Sequence, residues 1–134
     1  MAAFSLFGKK AISMTGAMYR LDYEVHPMKL RPHHADYLNL EIEIQNVLDK
    51  ELLTSIVIVI PKQLGLDPSA LSHEKEIRLG LVASQETKFL KIPIYTTQRT
   101  KSGRYPVHLY AISHYRDYGY VLNEMKRQID IRVE

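Results

Sequence analysis

The chain has 134 residues, with 18 Lys and Arg against 15 Asp and Glu for a net charge of +3, and no cysteine. That length suits one domain with a core large enough to stand without covalent staples, and hydrophobic and charged contents of 46% and 25% exclude a disordered chain. The missing cysteines exclude a disulfide scaffold, thiolate zinc, iron–sulfur clusters and thiol catalysis, and an excess of three positive charges is too mild to imply nucleic acid.

Residues 1–17 read as an N-terminal tail. Met1–Phe7 is apolar and the Lys9-Lys10 pair follows it, the reverse of a secretory leader. The longest later apolar run, Ile56–Ile60, is far below the ~20 residues of a membrane span. The expectation is a soluble, cytoplasmic protein. Phe4, Leu6 and Phe7 either fold back onto the body or, followed by two lysines, dip into a membrane interface or a partner's groove. Two lysines add little attraction to a membrane.

The body, residues 18–134, alternates with period two. Tyr19, Leu21, Tyr23 and Val25 form the apolar face of a first strand. Pro27 and Pro32 bracket Met28–Arg31 and mark a kink or edge crossing. Leu38, Leu40, Ile42 and Ile44 alternate with Asn39, Glu41, Glu43 and Gln45, the cleanest strand signal in the chain. A turn follows over Asn46–Glu51. The β-branched run Leu53–Ile60 reads as a central strand covered on both faces and ended by Pro61.

Residues 62–75 are a connection, with Asp67 and Pro68 suited to open a short helical turn over Pro68–Leu71. Glu76–Val82 is a short strand broken by Gly80. Thr87–Thr97 alternates again, and Pro93 within it assigns that residue to a sheet edge or bulge. A turn at Thr100–Gly103 precedes the strand Tyr105–His114, and Asp117-Tyr118-Gly119 makes the last turn. Leu122–Gln128 is the one stretch that could hold a helical turn, and Ile129, Ile131 and Val133 close the chain as a strand. The fold expected is all-β: an immunoglobulin-like antiparallel β-sandwich of seven to eight strands with Greek-key links.

Several segments carry a family resemblance. They are Val25-His26-Pro27, Leu40-Glu41-Ile42-Glu43-Ile44-Gln45-Asn46, Ile56-Val57-Ile58-Val59-Ile60-Pro61, Gly103-Arg104-Tyr105-Pro106-Val107-His108-Leu109 and Ile129-Asp130-Ile131-Arg132-Val133. Together they resemble an immunoglobulin-like sandwich of the broad CARDB type. The resemblance implies that Tyr105 is a tyrosine corner, its ring buried and its hydroxyl bonded to nearby backbone. It carries no catalytic residues over.

Four groups of residues are candidates for chemistry. His33-His34-Ala35-Asp36, with His26 nearby, offers metal-ligating atoms but meets no ligand-spacing template. If Tyr105, Val107, Leu109 and Ala111 point inward, His108, Tyr110, Ile112 and His114 form an outward stripe, which Phe89 and Tyr95 would extend into an aromatic binding face. The late loop His114, Tyr115, Arg116, Asp117, Tyr118, Gly119 and Tyr120 combines the residue types that anchor interfaces. Glu41/Glu43 and Glu74/Glu76 are i, i+2 carboxylates that read as solvated rows. No nucleophile elbow, phosphate loop, dinucleotide fingerprint or metalloprotease motif occurs.

The function expected from this is a non-enzymatic protein-interaction module without cofactor or metal. Its binding residues would be Tyr110, His114, Tyr115, Arg116, Tyr118 and Tyr120, with Phe4 and Phe7 of the tail and the sheet edges. Edges admit a protein partner or a second copy, which makes a homodimer one outcome. No nucleic-acid partner is expected. The alternatives are a membrane-surface adaptor held by Phe4, Leu6, Phe7, Lys9 and Lys10, and a carbohydrate- or nucleic-acid-binding sandwich using the aromatic stripe.

Overall fold

A computed structural model describes Ser5–Leu6, Lys9–Lys10 and residues 18–134. Ser5–Leu6 (β1) and Lys9–Lys10 (β2) form a short antiparallel ribbon. The remaining strands are β3 (Tyr19–His26), β4 (Lys29–Leu30), β5 (Tyr37–Asn46), β6 (Leu52–Val59), β7 (Glu74–Val82), β8 (Thr87–Tyr95), β9 (Gly103–His114) and β10 (Val121–Val133). They make two sheets, β3-β5-β8 and β4-β10-β9-β6-β7. Neighbours pair antiparallel apart from β4, which runs parallel to the end of β10.

The sheets form an immunoglobulin-like β-sandwich. Its Greek-key character comes from the connections β5–β6, β7–β8 and β8–β9, each of which changes sheet. The chain also changes sheet at the cis His26-Pro27 bond, passing from β3 to β4. The Pro27–Pro32 interruption read as a kink or edge crossing is this switch.

Alternation decides which faces are buried. Along β5, Leu38, Leu40, Ile42 and Ile44 are all buried while the residues between them are half-exposed. Each turns onto the opposing sheet, where Ile56, Ile58, Val107, Leu109, Ala111, Ile129, Ile131 and Val133 complete the core. Leu30 and Leu64 add to it from the short strand and the β6–β7 connection. This doubly lined interior is the main source of stability, at ~25 cal/mol per Å2 of apolar surface removed from water.

Some expectations need correction. β6 is central, between β9 and β7, but only one of its faces is sealed. Ile56 and Ile58 are buried, whereas Val57 and Val59 on the outer face are half-exposed. Leu122–Gln128 is not helical, since β10 is continuous from Val121 to Val133. Over Pro68–Leu71 the short turn expected after Asp67 is a single turn, closed by the Ala70 N–H on Asp67 O and by Asp67 Oδ1 accepting from the Ser69 hydroxyl at 2.6 Å. Gly65 is fixed in the same connection. It exchanges two backbone hydrogen bonds with Tyr95, and a Cβ there would fall 2.3 Å from Ala70 Cα.

The strand assignments around prolines and tyrosines agree with the sequence. β8, which contains Pro93, is an edge strand. Val107, Leu109 and Ala111 point inward, and Tyr105 donates its hydroxyl to Lys101 O at 2.6 Å; its ring is half-buried, short of the buried ring expected of a tyrosine corner.

Candidate functional site

The β9–β10 hairpin brings most of the proposed binding residues together. Register places Leu81 of β7 opposite Leu53 of β6, Leu53 opposite His114 of β9, and His114 opposite Val121 of β10. These four residues therefore make one row across the outer face of the large sheet. A register shift between Val121 and Asn123 leaves Leu122 as an extra residue on β10. Leu81, Tyr115, Tyr120, Val121 and Leu122 are each more than half exposed.

The turn beyond the row is held by its own hydrogen bonds. The Tyr115 N–H donates to Tyr120 O at 2.9 Å and the Asp117 N–H to Tyr115 O at 2.8 Å. The Gly119 N–H donates to Asp117 Oδ1 at 2.8 Å. The bond spanning Arg116 is a γ-turn, and Arg116 sits in it at φ 68°, a region costly for any residue with a Cβ. Its guanidinium lies 5.0 Å from the centre of the Tyr115 ring.

Tyr118 folds the turn back onto the sheet. Its hydroxyl accepts the Gly80 N–H at 2.9 Å, its ring stands edge-on to His114 at 5.0 Å, and the Arg78 guanidinium lies 4.6 Å from its centre. Beneath it, Ser55 Oγ and His114 Nε2 are 2.7 Å apart, and both residues are buried.

This geometry corrects two readings. His114 belongs to the outward face by parity but is not available for contact, because Tyr118 covers it and Ser55 occupies its Nε2. Phe89 and Tyr95 cannot extend the His108–Tyr110–Ile112 stripe, because β8 lies in the other sheet and its outward residues face the opposite side of the molecule. Tyr95 stacks instead on Tyr37, with ring centres 5.5 Å apart. Tyr110 stays on the large sheet's outer face, with Lys126 Nζ 5.8 Å from its ring centre. Phe4 and Phe7 lie outside the described residues. Leu81, Val121 and Leu122 went unread, because their exposure depends on strand register and a bulge.

The small sheet carries a different surface. Its outer face sets Asp22 opposite Glu43 and Glu24 opposite Glu41, with Phe89 and Lys91 on the next strand. These residues line a groove of about 330 Å3. Like charges directly opposed cost stability, and Lys91 opposite Glu41 offsets part of that. Glu24, His26 and Glu41 bring ligand atoms within 4.8 Å of one another, and His26 Nε2 is 2.9 Å from Glu24 Oε2. His33 and His34 do not join that group. His34 Nδ1 bonds Pro32 O at 2.7 Å, and His33 Nδ1 lies 3.4 Å from Gln98 O.

No protein-family model matches the sequence, and no curated protein does. Solved structures share its fold. Native α2-macroglobulin from Escherichia coli, from domain MG7 to the C-terminus, aligns with 85% of this chain at TM-score 0.60 and 17% identity. This chain spans only 16% of that one. A chain of the human seminal-plasma complex of zinc 2-glycoprotein and prolactin-inducible protein aligns at TM-score 0.56 and 13% identity, over 85% of this chain and 93% of that one. AvmM, which catalyses macrocyclization in alchivemycin A biosynthesis, aligns at TM-score 0.55 and 8% identity, over 98% and 95%. At these identities the similarity is one of fold, and that fold is the β-sandwich.

Proposed function

We propose that this protein is a non-enzymatic, cytoplasmic interaction module that binds a protein partner through the β9–β10 hairpin tip. The observation that carries the reading is the cluster of exposed apolar and aromatic side chains at one end of the large sheet. Tyr115, Tyr120, Val121 and Leu122, with Leu81 across the sheet, present their surface outward instead of packing it away. Tyrosine and arginine supply large contact areas with few rotors, and apolar neighbours exclude water around them. The strain at Arg116 supports the same reading, since a costly backbone at a surface turn persists where the turn's shape is used.

The likeness to CARDB accessory modules is a finer part of this proposal and agrees with a binding role. Tyr118 has a positioning part in it, because its ring is spent on His114 and Arg78.

The test is affinity capture with four baits: wild type, Tyr120→Asp, Leu122→Asp and Leu71→Asp. Leu71 is the control, 80% exposed but in the β6–β7 connection. Loss of the same prey with both tip variants and its retention with Leu71→Asp supports the tip. Retention by all four baits removes the tip as the binding site, and capture by none removes the protein-binding reading.

A further inference from the structure

We infer that the exposed edge of β10 pairs with β10 of a second copy, antiparallel and about a two-fold axis through Met125. The inference goes beyond the hairpin-tip reading and does not depend on it. Among the described residues, β10 has β9 on one side along its whole length but takes β4 on the other side only at Arg132–Val133. The stretch from Val121 to Asp130 thus offers one row of backbone donors and acceptors to another strand.

The charge pattern selects the register. In a symmetric pair about an axis normal to the sheet, opposed residues must share a face, so the register moves only in steps of two. With Met125 on the axis, Glu124 of each copy faces Lys126 of the other, giving two opposite-charge pairs on the outer face. On the inner face Asn123 faces Arg127. One step toward the N-terminus puts Glu124 opposite itself, and one step the other way puts Lys126 opposite itself. Both are like-charge pairs on the axis, and both are disfavoured. The Met125 register also keeps its central ladder, Asn123–Arg127, clear of the bulge at Leu122 and of the segment that β4 covers.

The edges of the three other long outer strands are worse matches. β8 carries Pro93 in its middle, which removes a backbone donor. β7 is interrupted at Gly80, where φ is 76° and the N–H is already taken by the Tyr118 hydroxyl. A β3 pair centred on Tyr23 would set Asp22 against Glu24 twice, and one centred on Leu21 would set Arg20 against an Asp22 that is buried and already paired with its own Arg20 at 3.9 Å. The sequence has no cysteine, so a single introduced thiol reports on one position without background.

The experiment is sedimentation velocity on the full chain across a dilution series, together with two single-cysteine variants. Wild type is expected to dimerise with rising concentration. Glu124→Lys and Lys126→Glu are each expected to be monomeric, and the double variant to dimerise again. Met125→Cys is expected to form a disulfide-linked dimer on mild oxidation, since opposed Cα atoms in a ladder lie within disulfide reach. Gln128→Cys, whose symmetry mate lies about 20 Å away at ~3.4 Å per residue, is expected not to.

Circular dichroism of each variant verifies the fold. A wild type that stays monomeric throughout overturns the inference, as does a dimer indifferent to both charge reversals or cross-linking equal at residues 125 and 128. A dimer abolished by Tyr120→Asp but not by Glu124→Lys would move the two-fold to the hairpin tip, overturning the β10 pairing while leaving the tip reading in place.

Discussion

The Tyr118 hydroxyl accepts the Gly80 N–H at 2.9 Å, tying the hairpin tip between β9 and β10 to the far edge strand β7, with β6 lying between. One side chain thus closes a gap in the β7 ladder, covers His114 and sets the direction of the loop that carries Tyr115 and Tyr120. Tyr118→Phe keeps the ring and loses the acceptor, so it is expected to cost about 1 kcal/mol in denaturant unfolding. Tyr118→Ala also uncovers His114 and Ser55 and is expected to cost about 3 kcal/mol. Capture of the partner should fall much further for the alanine variant than for the phenylalanine one. Equal falls would mean that the hydroxyl itself touches the partner.

Arg116 makes the opposite kind of prediction. Its φ of 68° is unfavourable for arginine and free for glycine. Arg116→Gly relieves that strain and loosens the unfolded chain, and the net expectation is a gain of up to about 1 kcal/mol. Partner capture should weaken in the same variant, because the guanidinium over the Tyr115 ring is gone. Thermal unfolding and capture, measured side by side, should move in opposite directions. A loss of both would show that arginine is required for the turn itself.

Asn46 joins three segments at the other end of β5. It is fully buried, its Nδ2 donates to Lys50 O at 2.8 Å and to Val82 O at 3.0 Å, and its Oδ1 accepts the Leu48 N–H at 2.9 Å. Asn46→Ala leaves these backbone groups without partners and is expected to cost about 3 kcal/mol. Asn46→Asp is nearly isosteric and is expected to be worse at neutral pH, because a carboxylate would face two carbonyl oxygens. Lowering the pH, which protonates that carboxyl, should recover part of the loss. Equal stability of the two variants at every pH would refute the charge argument.

What was legible in the sequence follows from how local each cause is. The β5 face is set by alternation within ten residues, and Leu38, Leu40, Ile42 and Ile44 fall where period two puts them. The inward set of β9 and the Tyr105 hydroxyl bond to Lys101 O are likewise local. Burial of His114 is not, because it depends on Ser55, on a strand 59 positions away, and on Tyr118 reaching back across the sheet. The separation of Phe89 and Tyr95 from Tyr110 depends on sheet order, which alternation does not encode. Leu122–Gln128 looked helical for a physical reason: its residues are mostly good helix formers, and its exposed edge leaves the strand face without an apolar signature.

Tyr19 gives the protein a predictable weakness at alkaline pH. Burial pushes its phenol up to about 12, against the lowering effect of its Thr54 contact. The two oxygens are 2.7 Å apart, and Thr54 Oγ1 donates its own hydrogen to Leu52 O at 3.0 Å. Tyr19 is therefore the donor while neutral; an ionised Tyr19 would keep a partner only by drawing the Thr54 hydrogen away from Leu52 O, and that lowering effect is outweighed by the burial of a charge in the core. The unfolded chain sheds this proton near pH 10, whereas the folded chain holds it to about 12. Between those values the folded state binds more protons, so stability falls as pH rises. The contribution is fully present below pH 10 and gone once the pH passes about 12. Urea unfolding over that range should show a downward slope that Tyr19→Phe makes shallower. The same variant should lose about 1 kcal/mol at neutral pH, where only the hydrogen bond counts. In the folded protein, Tyr19→Phe should also remove the latest-titrating part of the tyrosinate absorbance. An unchanged late phase would place the high-pKa phenol elsewhere in the chain.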